Sequence, residues 1–176
     1  MTSFKTNSHS PLYHKCKKSK GGTKRKELLA GLQVSPFCRT SPTKGLCSTM
    51  VNGATSWHDA IGNAISETLS LAKELQSKNG LIAPAIAKLS PAARKSLQGT
   101  CNESFQTVID MLKEGQVALA AGDNGTLQTK LSAALDTDCD DELSNFGATF
   151  PLANMAKELT KKVSVCLAIT AQNVGA

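Results

Sequence analysis

The 176-residue sequence predicts an all-α protein whose architecture is an antiparallel four-helix bundle. Apolar residues recur at helical spacing in four segments, whereas alternation with a period of two appears nowhere for more than a few residues. Aromatic residues are scarce, with five Phe, one Trp and one Tyr. A core of Leu, Ala, Ile and Val suits packed helices better than a β-sandwich or barrel. No uncharged apolar stretch approaches the roughly 18 residues that a membrane span needs.

The four periodic segments carry start and stop signals of their own. The predicted helices run from Trp57 to Asn79-Gly80, from Pro91 to Gly122, from just after Asn124-Gly125 to Leu135, and from about Pro151 to Thr170. Thr55 or Ser56 is a suitable N-cap for the first helix. Ser90 and Pro91 stand in capping order for the second, with proline at the first helical position. Short connections between such helices favour antiparallel neighbours.

The segment before the first long helix contains Pro and Gly between two cysteines, in the sequence FCRTSPTKGLC. This composition predicts a small N-terminal hairpin rather than a fifth full helix. A short apolar connection containing Pro84 is expected between the first two long helices.

The basic residues are concentrated at the N-terminus. Residues 1–36 contain eight Lys/Arg and one acidic residue, whereas residues 37–176 contain twelve Lys/Arg and thirteen Asp/Glu. We therefore predict a basic, disordered extension over 1–33 and a folded domain over 34–176. A nuclear-import-like cluster, a nucleic-acid-binding arm and an organelle transit segment are alternatives for the extension. It contains no convincing export signal, because its longest apolar run is too short.

Cysteine spacing leaves two interpretations open. The six cysteines stand at positions 16, 38, 47, 101, 139 and 166. Cys38 and Cys47 flank a turn-rich segment, and an antiparallel bundle could bring Cys101 close to Cys139. The alternative is that all six are reduced core residues of a cytosolic protein. No His lies at ligand spacing from any cysteine, so neither a zinc site nor another metal or cofactor is expected.

The two remaining cysteines are expected to be free thiols. Cys166 falls on the apolar face of the fourth helix, which predicts burial, and Cys16 has no obvious partner in the extension. Two glycosylation sequons occur, at Asn102 and at Asn124. Asn124 is the more plausible acceptor because it lies at a connection between helices.

Several motifs occur together in order. C-x8-C is followed by LSPAARKSLQGTCNESF, LSAALDTDCDDEL and VSVCLAIT. This pattern, over Val34 to Ala176, closely resembles the plant pectin methylesterase and invertase inhibitor family. The resemblance implies a four-helix bundle preceded by a short helical hairpin. It also implies disulfides Cys38–Cys47 and Cys101–Cys139, an unpaired Cys166 and an oxidising compartment.

The resemblance further implies a function. Members of the family are not enzymes; they bind one-to-one across the substrate cleft of a wall-modifying hydrolase. Polar residues near the second disulfide meet the enzyme, and the matching positions are Glu103 and Asp141. The position before the fourth cysteine, usually Thr in the family, is Asp138. The Pro-Lys-Phe segment of the invertase inhibitors is missing from residues 122–126, which favours the esterase branch.

The resemblance therefore predicts a monomeric inhibitor of pectin methylesterase in the cell wall. Since the N-terminus lacks an export signal, we expect it to be atypical or misassigned. Inhibition of an acid invertase is the alternative within the fold, and an intracellular bundle whose basic extension binds nucleic acid is a remote one.

Competing interpretations of the acidic residues are a solvated turn and an enzymatic site. In the first, Asp140 or Asp141 would cap the following segment. The second needs two carboxyl groups facing each other across a sugar-sized cleft, which a tight bundle does not offer.

Overall fold

The computed structural model describes residues 34–135 and 138–173 of the chain. These residues form seven α-helices and three short 3₁₀ segments. The helices are α1 Lys44–Val51, α2 Trp57–Ser77, α3 Ile82–Ala85, α4 Pro91–Ala120, α5 Asn124–Ala133, α6 Cys139–Asn145 and α7 Ala153–Thr170. Over these ranges there is no β-strand, so the predicted all-α class is confirmed. The extension 1–33 lies outside the described residues, and its boundary with the domain stays a prediction.

The four long helices form a ring of neighbours. Helix α2 packs against α4 and α7, α4 packs against α5, and α5 packs against α7. Gln76 near the end of α2 donates to Gln106 in the middle of α4 at 2.8 Å, whereas Gln116 near the end of α4 donates to Ser66 at 3.3 Å. Since the order of contacts reverses between the two helices, they run antiparallel, as predicted.

Helix α7 also runs antiparallel to α2 and carries the N-terminal hairpin. Trp57, at the start of α2, donates its indole N–H to the carbonyl of Ile169 near the end of α7 at 2.9 Å. The hairpin consists of the 3₁₀ segment Pro36–Cys38 and α1. Thr40 ties it to the carbonyl of Ala168 at 3.0 Å. The hairpin is therefore fixed at the end of the bundle where α2 begins.

Side chains cap the two longest helices where the sequence predicts them. The hydroxyl of Ser56 accepts the backbone N–H of Asp59 at 3.0 Å, and the hydroxyl of Ser90 accepts that of Ala93 at 3.3 Å. Pro91 occupies the first helical position of α4. Each serine hydroxyl accepts a backbone N–H that has no acceptor within the helix. Such a cap stabilises a helix by about 1 kcal/mol.

The joint between α4 and α5 differs from the sequence-based prediction. Gly122 has φ +71°, and its N–H bonds to the carbonyl of Leu119, while the N–H of Asp123 bonds to that of Ala118. These two bonds form a Schellman motif that ends α4. The side chain of Asp123 then accepts the N–H of Thr126 at 2.9 Å and caps α5. The predicted turn at 124–125 is therefore the first turn of the helix.

Two buried clusters divide the core. The first lies among α1, α2, α5, α7 and the second half of α4. The second lies at the opposite end, around the end of α2, the first half of α4, α6 and the start of α7. Its buried members are Leu75, Ile82, Ile86, Leu97, Cys101, Phe105, Cys139, Leu143, Phe150, Leu152 and Ala156. Among the described residues, no helix has the length and apolar character needed to cross a membrane.

Candidate functional site

The disulfide between Cys101 and Cys139 fixes α6 to the side of α4. Their Cα atoms lie 4.6 Å apart, and both residues are fully buried in the second core cluster. A second bridge joins Cys38 to Cys47 within the hairpin, with Cα atoms 5.7 Å apart. The disulfide-stapled bundle implied by the sequence is thus the observed one.

The acidic segment after Cys139 is a helix, not the solvated turn weighed as an alternative. Asp140, Asp141 and Glu142 occupy the first turn of α6, where negative charge is favoured by the positive end of the helix dipole. Cys139 and Leu143, four residues apart, turn inward and are buried. The N-cap position belongs to Asp138, without a side-chain cap bond. The alternative interpretation, in which Asp140 or Asp141 acts as the cap, is therefore wrong.

A second Schellman motif ends α6. Gly147 has φ +68°, its N–H bonds to the carbonyl of Ser144, and the N–H of Ala148 bonds to that of Leu143. Positive φ at this position is available to glycine at little cost. The short helix thus has a defined end as well as a covalent anchor at its start.

The three predicted contact residues are exposed beside the bridge. Glu103 follows Cys101 by two residues on α4, Asp141 follows Cys139 by two residues on α6, and Asp138 directly precedes it. Among the described residues, none of the five ion pairs involves these carboxylates. We call Glu103, Asp138 and Asp141 the acidic face. Asp136, also part of the acidic sequence cluster, lies outside the described residues.

Phe146, at the end of α6, is a further candidate contact residue that the sequence analysis missed. It follows α6 directly and leaves 47% of its surface exposed. Large exposed aromatic residues beside polar groups are typical of protein interfaces. The exposure of Phe146 can be inferred only once α6 is known to be a helix. Phe146 then lies at the end of the helix, outside its buried stripe of Cys139 and Leu143.

The acidic face can bind a partner through hydrogen bonds and ion pairs. Exposed carboxylates accept hydrogen bonds and pair with Lys or Arg of a partner. In the described ranges, no group of three or more His, Cys, Asp or Glu side chains is arranged to hold a metal ion.

The two sequon asparagines lie in different surroundings. Asn102 is exposed on α4, directly before Glu103. Asn124 is half-buried at the start of α5, and its Oδ1 atom is buried without a hydrogen-bond partner in the described part of the chain. Glycosylation at either position stays a prediction.

Cys166 is a fully buried free thiol on α7. Its Sγ lies 3.4 Å from the hydroxyl of Thr68 on α2. Burial raises the pKa of the Cys166 thiol from an ordinary value near 9.0 to about 12, and the hydrogen bond with Thr68 only partly offsets this. Cys16, the other predicted free thiol, lies outside the described residues.

The raised pKa predicts that Cys166 resists alkylation in the folded protein. At pH 8 a rise in pKa from 9.0 to about 12 lowers the thiolate fraction roughly a thousandfold, and burial also blocks the reagent. We expect iodoacetamide to label Cys166 at least about a hundredfold more slowly in the native chain than in urea, as measured by peptide mass spectrometry. Equal rates in the two conditions would contradict the burial of this thiol.

Comparison with known proteins finds one matching family and solved structures with a similar fold. The family model described as plant invertase/pectin methylesterase inhibitor matches residues 33–169. A mutant form of a pectin methylesterase inhibitor from Arabidopsis is 21% identical, with a TM-score of 0.63 over 78% of this chain and 95% of that one. Another structure of a pectin methylesterase inhibitor, from Arabidopsis thaliana, is 21% identical, with a TM-score of 0.57 over 78% and 93%. No curated protein matches the sequence. At this identity the two structures show a shared fold.

Proposed function

Because this chain belongs to the plant invertase/pectin methylesterase inhibitor family, whose members are inhibitors and not enzymes, we propose that it inhibits pectin methylesterase. The protein binds the enzyme one-to-one over the substrate cleft and excludes the polymer. It thereby modulates the de-esterification of pectin in the plant cell wall, and its site of action is the apoplast.

The observation that carries this proposal is the acidic face beside the Cys101–Cys139 bridge. The bridge holds α6 against α4, so that exposed carboxylates from two helices stand on a rigid support. Preorganised side chains lose little conformational entropy on binding. Their charge would speed encounter with a basic surface and make association sensitive to salt.

The joint between α4 and α5 favours the esterase over the invertase as target. Asp123 belongs to the Schellman motif that ends α4 and also caps α5 through its side chain. Since one residue serves both helices, the connection has no room for the Pro-Lys-Phe segment typical of the invertase inhibitors. This geometry supports the esterase, the enzyme of the other branch, as the proposed target.

A stoichiometric titration tests the proposal. The oxidised full chain is added in steps to a plant pectin methylesterase and, separately, to a plant acid invertase. We expect a linear loss of esterase activity that is complete near one equivalent, with invertase activity unchanged. The reverse pattern would make the invertase the target. Loss of neither activity would refute inhibition of both enzymes.

Neutralising the acidic face is expected to weaken inhibition of the esterase by at least about tenfold. The variant carries Glu103→Gln, Asp138→Asn and Asp141→Asn, which keep the size of each side chain. Since all three residues are exposed, we expect a change in stability below about 1 kcal/mol. The inhibition constant and the thermal midpoint are measured together.

A matched control removes the same amount of charge elsewhere. Glu67→Gln, Glu114→Gln and Glu158→Gln change three acidic residues on α2, α4 and α7 whose solvent-accessible carboxylates pair with lysines. Such pairs contribute little to stability. We expect full inhibition by the control. If both triple variants inhibit equally well, the acidic face is not the contact surface.

A further inference from the structure

A groove of about 260 Å³ lies between α3 and the first turns of α4. It is lined by Ala83, Ile86, Pro91, Arg94, Lys95 and Gln98. Ile86 is buried and, with Ala83 and Pro91, makes an apolar floor, whereas Arg94 and Lys95 supply positive charge. The amide of Asn79 donates to the carbonyl of Gln98 at 3.4 Å and ties the loop before α3 to α4.

All charged residues of the segment that builds the groove are basic. Residues 78–102 contain four Lys/Arg and no acidic residue. Of these, Lys78 pairs with Glu74, whereas Arg94 and Lys95 form no ion pair within the described residues. Cations this close to a helix N-terminus are disfavoured by the helix dipole, so their placement here weakens the helix slightly. A bound anion would relieve that repulsion.

The size and polarity of the groove fit a sugar acid. The groove is smaller than the roughly 300–1,000 Å³ of pockets for drug-sized molecules, so it accommodates about one sugar ring. A sugar acid has an apolar C–H face for the floor, hydroxyl groups for Gln98 and a carboxylate for the cations. Inorganic anions offer the charge without the apolar face.

We propose that this groove binds a uronate residue of a de-esterified polyuronate chain. The inference rests on the proposed function, because hydrolysis of a methyl ester leaves a carboxylate on each sugar. Substrate and product of the target enzyme then differ in charge at the group that Arg94 and Lys95 would contact. The groove distinguishes the two and holds the inhibitor on polymer that the esterase has already processed.

The groove and the acidic face can be occupied together. Arg94 and Glu103 are nine residues apart on α4, which places them about 13 Å apart along the axis and on opposite sides of the helix. Enzyme contacts confined to the side of α4 that carries Glu103 would leave Arg94 accessible. The inhibitor can bind product and enzyme at once.

Nuclear magnetic resonance with the isotope-labelled full chain tests this proposal without any enzyme. Trigalacturonate, its fully methyl-esterified form and inorganic sulfate are titrated separately. We expect the acid trimer to shift the amide signals of Ala83, Arg94, Lys95 and Gln98, and the ester to bind at least about fivefold more weakly. Because each amide signal is assigned to one residue, binding of the trimer at the groove can be distinguished from binding at the basic extension. Sulfate binding the groove as tightly as the acid trimer would reveal a general anion site and overturn the sugar-acid assignment.

Two double variants complete the test. Arg94→Gln with Lys95→Gln is expected to weaken binding of the acid trimer about fivefold to tenfold. Lys73→Gln with Lys157→Gln removes two exposed charges from α2 and α7 and is expected to leave binding unchanged. Equal affinity in the two variants, or no shift at the groove, would refute the site. Inhibition of the esterase is measured in a separate assay. A failure of uronate binding at the groove can therefore be distinguished from a failure of inhibition.

Discussion

Removing the bridge between α4 and α6 by Cys101→Ala and Cys139→Ala is expected to lower the free energy of unfolding by about 4 kcal/mol. The bridge spans 38 positions of the sequence, and opening it restores the conformational freedom of that loop in the unfolded chain. Alanine at both positions avoids placing a buried polar group in the second core cluster. Urea unfolding of the oxidised protein and of the double variant measures the difference.

The same variant is expected to lose most inhibition of the esterase while the bundle stays folded. Helix α6 has only seven residues, and isolated helices shorter than about 12–15 residues are marginal in water. Without the bridge, the buried side chain of Leu143 is the main remaining anchor on the helix itself. Asp141 would no longer be held beside Glu103.

The hairpin bridge supplies the matched control. Cys38→Ala with Cys47→Ala opens a loop of nine positions, for which the same model gives about 2.5 kcal/mol. The Cys38–Cys47 bridge lies at the other end of the bundle, so we expect inhibition to persist at temperatures where this variant is folded. If both double variants inhibit equally well, the Cys101–Cys139 bridge does not position the contact surface.

The long helices could be predicted because each combines a periodic apolar stripe with a local boundary signal. Ser56 and Ser90 act on the next turn of their own helices, so their role is legible in the sequence. The start of α5 was harder to predict, because the dipeptide Asn124-Gly125 is of a kind that usually marks a turn. Here Asp123 caps the next helix and carries the chain through Asn124 and Gly125 in helical form.

Helix α6 could not be predicted because its stability comes from contacts distant in sequence. Seven residues give barely two turns of periodicity, and only Cys139 and Leu143 face inward. The covalent partner of this helix lies 38 positions earlier, and cysteine spacing alone left the pairing open. The acidic face depends on the same bridge, so its two halves were connected by family resemblance rather than by local sequence.

Truncating the aromatic centre of the second core cluster by Phe105→Ala is expected to cost about 3–5 kcal/mol. Phe105 is only 1% exposed, and its ring stacks on that of Phe150 with centroids 6.3 Å apart. The cavity would open one turn after Cys101, directly beneath the support of the acidic face. Phe105→Leu keeps most of the volume, and we expect it to cost below about 1.5 kcal/mol.

A double-mutant cycle shows whether the two rings act as a unit. If they do, Phe105→Ala and Phe150→Ala together cost less than the sum of the single changes, by about 0.5–1.5 kcal/mol. Additive costs would mean that each ring contributes only its own burial. Because Phe150 lies between α6 and α7, coupling would show that the loop after α6 helps to hold the second cluster closed. The short helix that carries Asp141 would then be supported at both ends, by the bridge and by this ring.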